Sequence, residues 1–352
     1  MSVTEFPTQK IQHPAAWYGS DLAENDSWIE LLSDDEVDEV RRAVDDVDRR
    51  GQAILDVTRE SFVLPTLSER LRELARELDR GRGFWLMRGL PMDEMSKHEA
   101  AVAYWGLGLH MGTPISQNAR GHLLGHVTDE GKDISDPTSR GYQTRVRLPY
   151  HTDGSDAVGL LCLQPAKSGG LSSIVSSTTV FNEVLERRPD LAHLWFEQWY
   201  FDRRGEERDG EQPFYRTPLA SWMDGLLSVR YIRGFMDSAQ RHAEVPRRTE
   251  QETEFLDLVD EITHEPGVAL HMDFRPGDIQ FICNYSIFHS RTEYEDWPEP
   301  ERRRHLLRLW LALDDARPLP ADYGRDNSTE AGGRGGVPPV PELAEAGAGT
   351  LI

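Results

Sequence analysis

Between Gly121 and Trp310 the chain is a succession of short β-like runs separated by long insertions, which restricts its possible folds more than any other feature. The predicted strands are 122–127, 143–148, 157–163, 172–176, 226–232, 269–272, 278–282 and 305–313. Two helices interrupt them. One is predicted near 180–187. The other follows the capping box Thr249-Glu250-Gln251-Glu252 and buries Phe255, Leu258, Val259 and Ile262. Many short strands with few helices predict a mainly β protein with flanking helices, a sandwich or jelly roll rather than a parallel sheet.

The flanks read differently. Residues 1–82 are largely helical: an acidic helix is predicted from about Ser33 to Arg50, and a second opens at a capping box Thr66-Leu67-Ser68-Glu69 with Leu67, Leu71, Leu74 and Leu78 in one stripe. Gly83 to Gly89 reads as a buried strand, and His98 to Leu109 as a helix. The β-rich part with its insertions spans 83–315, giving a single domain over 1–315. Residues 316–352 are Pro-, Gly- and Ala-rich and are expected to be a flexible tail.

Formal charge is −22, and only four of the 39 basic residues are Lys. Such a surface repels phosphate backbones and anionic lipid, so nucleic acid and membrane are excluded as partners and a small-molecule substrate is expected. No run of 18 apolar residues exists and MSVTEFPTQK lacks an apolar signal region, so a cytoplasmic location is expected. Cys162 and Cys283 lie in apolar runs and read as buried free thiols. Assembly into a homo-oligomer is left open.

The chemistry lies in His151-Thr152-Asp153. On a strand, residues i and i+2 share a face, so this imidazole and carboxylate point the same way. His289 follows 136 residues later, at the polar end of the apolar run 278–285. That gap is too long for a zinc finger and natural for a barrel whose first and last strands meet. Two imidazoles and one carboxylate on one face of an iron leave positions open for oxygen. A second His-x-Asp, His271-Met272-Asp273, is set aside: it ends only 16 residues before His289, with Pro276-Gly277-Asp278 as an intervening turn. His271 is read as a core or pocket residue.

In Arg304-His305-Leu306-Leu307-Arg308-Leu309-Trp310-Leu311, strand register puts Arg304, Leu306, Arg308 and Trp310 on one face and apolar residues on the other. A buried guanidinium is costly unless an anion meets it, and its planar fork suits a carboxylate. The two arginines lie about 13 Å apart along such a strand.

With these three motifs in order, the chain resembles the taurine dioxygenase-like (TauD/TfdA) family, on its clavaminate synthase and γ-butyrobetaine hydroxylase side. The resemblance runs from about Gly83 to Leu313. It implies a double-stranded β-helix (jelly roll, cupin-like) core and a catalytic site using Fe(II), 2-oxoglutarate and O₂, with release of succinate and CO₂. Carried over by position, the iron ligands are His151, Asp153 and His289. Arg304 meets the far carboxylate of 2-oxoglutarate, and Arg308 meets the primary substrate. Ser172 stands where the family places a hydroxyl near the cosubstrate, with Ser173 beside it. The carboxylate at Asp153 points to hydroxylation rather than chlorination. Asn118 and Asn284, with Gln117, Tyr142, Arg145 and Asp156, are expected near the substrate from their nearness in sequence. A two-arginine pocket favours a substrate carrying an acidic group. Two rival readings use the same triad: a metal-dependent hydrolase or isomerase on a cupin-like barrel, and a non-enzymatic metal-binding regulatory protein.

Overall fold

A computed structural model of the chain describes residues 6–132, 141–321, 323–324 and 336–340. In chain order the strands of the two main sheets are β1 (Ile29–Leu31), β2 (Phe84–Arg88), β3 (Gly112–Pro114), β4 (Leu124–Val127), β5 (Leu148–His151), β6 (Ala157–Gln164), β7 (Ser172–Ser176), β8 (Leu270–Met272), β9 (Ile279–Cys283), β10 (Ile287–Arg291) and β11 (His305–Leu313). The larger sheet runs β1-β2-β9-β6-β11-β3, with β4 also paired to β11; the smaller runs β8-β7-β10-β5. From β4 to β7, and again from β8 to β11, the chain alternates between the sheets. That is the jelly-roll winding expected for the core.

Alternation along β11 explains the layering. Leu307, Leu309 and Leu311 point outward onto helices α1 (Asp34–Arg50), α2 (Leu67–Arg80) and α3 (Lys97–Leu109). Each such leucine contributes about 1.5–3 kcal/mol by leaving water. Leu306 and Trp310 point inward, against Val158, Ile174, Ile282 and Ile287 between the sheets. Helices α4 (Ser177–Arg187) and α5 (Glu250–His264) cover the far side of the smaller sheet through Val180, Phe181, Phe255 and Val259, which pack with Val175 and Phe288. Helix α3 sits so close to β11 that a Cβ on Gly108 would lie 2.7 Å from Leu309.

Three capping boxes hold helix starts by reciprocal bonds, Ser33 with Glu36, Ser96 with Glu99 and Thr249 with Glu252. The box expected at Thr66 does not form. Thr66 is in the α region, and the Glu39 carboxylate of α1 instead accepts from the Thr66 and Leu67 backbone N–H groups. The start of α2 is therefore capped by a neighbouring helix. The strand predicted at 143–148 also moves. Gly141–Gln143 is a 3₁₀ turn and β5 begins at Leu148, because Val146 is exposed and only Leu148 onward pairs with β10.

Cys162 and Cys283 are buried and free, on opposite faces of the larger sheet. His271 is exposed on β8, bonded through Nδ1 to Ser173 Oγ at 2.7 Å, which corrects its reading as a core or pocket residue. The turn at Gly277 carries the chain from one sheet to the other rather than between paired strands.

Of the expected flexible tail, residues 317–321, 323–324 and 336–340 are described and several of them dock on the body; the rest lies outside the described residues. Arg317 is buried and paired with Asp79 at 2.9 Å, also donating to the Asp79 and Leu227 carbonyls. Val337 N–H donates to Ser116 O and Val340 N–H to Ala119 O, both at 2.9 Å or less. Specific polar partners on the body hold these residues where little apolar surface is available. Among the described residues, no helix is long and apolar enough to cross a membrane.

Candidate active site

β5 and β10 pair antiparallel with His151 directly opposite His289. Their rings lie 4.2 Å apart between centroids. Asp153 follows the end of β5, where its backbone N–H donates to Asn284 Oδ1 at 2.9 Å and Thr152 N–H to Tyr231 O. One ligand atom from each of His151, Asp153 and His289 lies within 4.8 Å of the others. The Nε2 atoms face the carboxylate, at 3.9 Å from His151 to Oδ1 and 3.7 Å from His289 to Oδ2.

The surroundings suit a cation. His151 Nδ1 lies 2.9 Å from the Pro149 carbonyl, which places its proton there and leaves the Nε2 lone pair facing inward. Burial, with His151 second, pushes the His289 pKa down to about 3, so that ring is neutral. Burial works to raise the Asp153 pKa, but Arg308, His289, His151 and the Trp310 hydrogen bond together hold it below its ordinary value. Trp310 Nε1 donates to Asp153 Oδ2 at 3.0 Å, fixing the carboxylate's orientation. These are the donors a 2-His-1-carboxylate site needs.

Deeper between the sheets, the described residues bring a second arginine to Arg304. Arg291 is two residues beyond His289 on β10, hence on the same face. Both guanidiniums are buried over the Tyr294 ring, at 4.7 Å and 5.1 Å. Arg304 Nη1 and Arg291 Nε and Nη1 have no hydrogen-bond partner, although Arg291 Nη2 donates to Val146 O. Burial, with the neighbouring Arg304 next, lowers the Arg291 pKa to about 10, and burial likewise lowers that of Arg304. Gly170 leaves the needed room, since a Cβ there would lie 3.1 Å from Arg304 Nε. Ser172 is opposite Arg291 in register and donates to Gln280 Oε1 at 3.1 Å across the sheets. The fit to a small dicarboxylate is a set of buried, unsatisfied donors. Arg291 was not singled out in the sequence, though its i+2 spacing from His289 would have found it.

Arg308 lines a cavity of about 380 Å³ that also exposes His151 and Asp153. Its Nε donates to Gln117 Oε1 at 2.7 Å, and its guanidinium lies over Tyr142 at 4.6 Å. Gln117, Tyr142, Gly336 and Val337 line the same cavity. The residues expected from sequence nearness thus divide. Asn284 is fully buried, and its amide accepts from Asp153 N–H and donates to Ser155; it is not among the cavity-lining residues. Asn118 stabilises its own loop through the Arg120 and His122 N–H groups and is not among the cavity-lining residues. Arg145 is exposed and lies 3.9 Å from Asp129, and Asp156 is buried against Tyr285 OH and Leu313 N–H.

Comparison with known proteins agrees with this geometry. The family model described as taurine catabolism dioxygenase TauD, TfdA family matches residues 49–310. The chain is 32% identical over 324 residues to FR-33289 synthase of Streptomyces rubellomurinus (strain ATCC 31215), covering 90% of this chain and 95% of that protein. Its fold is similar to asparagine oxygenase in complex with Fe(II), 2S,3S-3-hydroxyasparagine and succinate (TM-score 0.62, 16% identity, 81% and 93% of the two chains). It is also similar to the non-heme iron oxygenase OrfP in complex with Fe and alpha-ketoglutaric acid (TM-score 0.60, 15% identity, 82% and 94%).

Proposed function

The chain belongs to the TauD/TfdA dioxygenase family, and from that premise we propose that it hydroxylates a C–H bond of a small, anionic molecule in the cytoplasm. It is a non-haem iron, 2-oxoglutarate-dependent oxygenase by membership. In our reading His151, Asp153 and His289 hold Fe(II). When bound there, iron supplies oxygen activation coupled to conversion of 2-oxoglutarate to succinate and CO₂.

The protein's part is positioning. Arg304 and Arg291 grip the far carboxylate of 2-oxoglutarate through charge-assisted bonds, with Ser172 beside them. Trp310 and Asn284 fix the Asp153 side chain and backbone, so one carboxylate oxygen is oriented before any ligand arrives. Arg308, steadied by Gln117 and Tyr142, meets the acidic group of the primary substrate.

The observation that carries this reading is the pairing of a converged His151, Asp153, His289 set with two buried, unsatisfied guanidiniums. A metal-dependent hydrolase or isomerase would use the triad and leave Arg291 and Arg304 without a task, and family membership favours the oxygenase. Anaerobic Fe(II) plus 2-oxoglutarate should give a weak visible charge-transfer band, absent from Asp153→Ala. Oxygen should then release succinate. No band and no succinate from the wild-type protein would refute the proposal.

A further inference from the structure

Arg230 is buried beside the metal triad with no carboxylate partner among the described residues. It follows the 226–229 strand, and its backbone N–H is bonded to Leu219 O at 2.7 Å. Its guanidinium packs over Phe201 at 5.7 Å and Tyr215 at 5.6 Å. Its hydrogen bonds are from Nε and Nη2 to the Tyr215 hydroxyl, at 3.2 and 2.6 Å. That oxygen therefore accepts twice, and the phenol's own proton has no acceptor among the described residues.

The remaining nitrogen looks toward the chemistry. Arg230 lines the cavity that exposes His151, Asp153 and Arg308. A Cβ built on Gly154, next to Asp153, would lie 4.0 Å from Arg230 Nη1 and 3.5 Å from the Trp310 ring. Arg230 also lines a small adjoining space of about 10 Å³ with Tyr323, whose buried hydroxyl has no partner. Asp153, a carboxylate lining the cavity, faces His289 and Arg308 rather than Arg230.

Arg317 is an informative contrast. It is buried more deeply still, and this fold gives it Asp79 and backbone carbonyls. Arg304 and Arg291, by contrast, have open donors at the proposed cosubstrate site. A cation left without an anion in low dielectric is unfavourable, so its persistence beside a ligand cavity points to a ligand that completes it.

We propose that Arg230, held in place by the Tyr215 hydroxyl, forms an anion-binding subsite in this cavity wall that grips an oxyanion on the molecule being oxidised. This rests on the oxygenase reading and extends it: Arg308 and Arg230 then contact the substrate from two walls of one cavity. The class implied is a small molecule with a phosphate-, phosphonate- or carboxylate-type group, which sets where along the molecule oxidation falls.

The test uses the full chain, loaded anaerobically with Fe(II) and saturated with 2-oxoglutarate so that Arg304 and Arg291 are filled. Inorganic phosphate and, separately, acetate are titrated by calorimetry. Wild type should bind at least one; which one distinguishes a tetrahedral from a planar oxyanion. Arg230→Gln should weaken that binding about tenfold or more, with Arg230→Lys between. Tyr215→Phe, which keeps the ring and removes the hydroxyl, should weaken it less and guards against misfolding of the arginine variants. The visible band and its 2-oxoglutarate dependence should persist in all three. Equal anion binding by wild type and Arg230→Gln, or binding of neither anion by wild type, overturns the subsite. A missing band in wild type counts against the oxygenase reading and is read separately from the titration.

Discussion

Replacing Arg304 with Met should make the ligand-free protein more stable and, at the same time, blind to 2-oxoglutarate. Arg304 is buried, its Nη1 has no partner, and Arg291 adds a second buried guanidinium over the same Tyr294 ring. Exchanging buried charge for apolar volume typically gains about 1–4 kcal/mol when the charges are paired, and an unpaired cation has less to lose. Against that stands the stacking on Tyr294, worth about 0.5–2 kcal/mol. The net is about 1–2 kcal/mol of stabilisation. At about 2–4 °C per kcal/mol for a chain somewhat smaller than this one, the melting temperature rises by a few degrees. Loss of a charge-assisted grip on the cosubstrate costs about 2–5 kcal/mol, a roughly 30- to several-thousand-fold weaker Kd. Wild type with anaerobic Fe(II) and 2-oxoglutarate at 100 times its Kd gains about 2.7 kcal/mol, and the variant should gain about 1 kcal/mol at most. The assay is a pair of melting curves for each protein, with and without 2-oxoglutarate. The variant should melt higher without the ligand, and the difference should vanish or reverse with it. A variant that melts several degrees below wild type without ligand would show that Arg304 is satisfied internally, and the cosubstrate assignment would lose its physical basis.

Other expectations follow from single residues. Asp153→Ala and His151→Ala should each abolish succinate release and the iron-dependent band while far-ultraviolet circular dichroism stays that of wild type; residual full turnover would exclude the triad. Truncation after Ala316 should destabilise by about 3–5 kcal/mol in urea titration, because Asp79 is left buried without Arg317; a silent truncation would mean the pair contributes nothing. Glu39→Ala should cost about 1–2 kcal/mol through loss of the carboxylate that caps α2, whereas Glu69→Ala, the would-be partner in the absent capping box, should be near neutral by the same measurement. Chelation of metal should remove turnover, with Fe(II) restoring it and Zn(II) failing to, since zinc lacks the redox chemistry.

Much of the site was legible because strand periodicity is a local rule. Arg304, Leu306, Arg308 and Trp310 face inward together, and His151, Asp153 and His289 converge. Local patterning misled where a tertiary partner prevailed. Thr66 has the residues of a capping box, yet Glu39 reaches its backbone first. Thr144 to Arg147 forms no strand, although its carbonyls accept from Tyr294 N–H and the Arg291 side chain. Asn284 stands near the site in sequence, but its amide supports Asp153 from behind.

The residue types and their order were enough to establish an alternating β core, a two-histidine, one-carboxylate set and inward-facing arginines, because alternation of side chains depends only on the backbone's own repeat. Which charges go unpaired was decided by the folded chain alone. Arg317 meets Asp79, 238 residues away in sequence, while Arg230, Arg291 and Arg304 have no such carboxylate among the described residues, and the partner of a buried charge is set by packing between segments far apart in sequence.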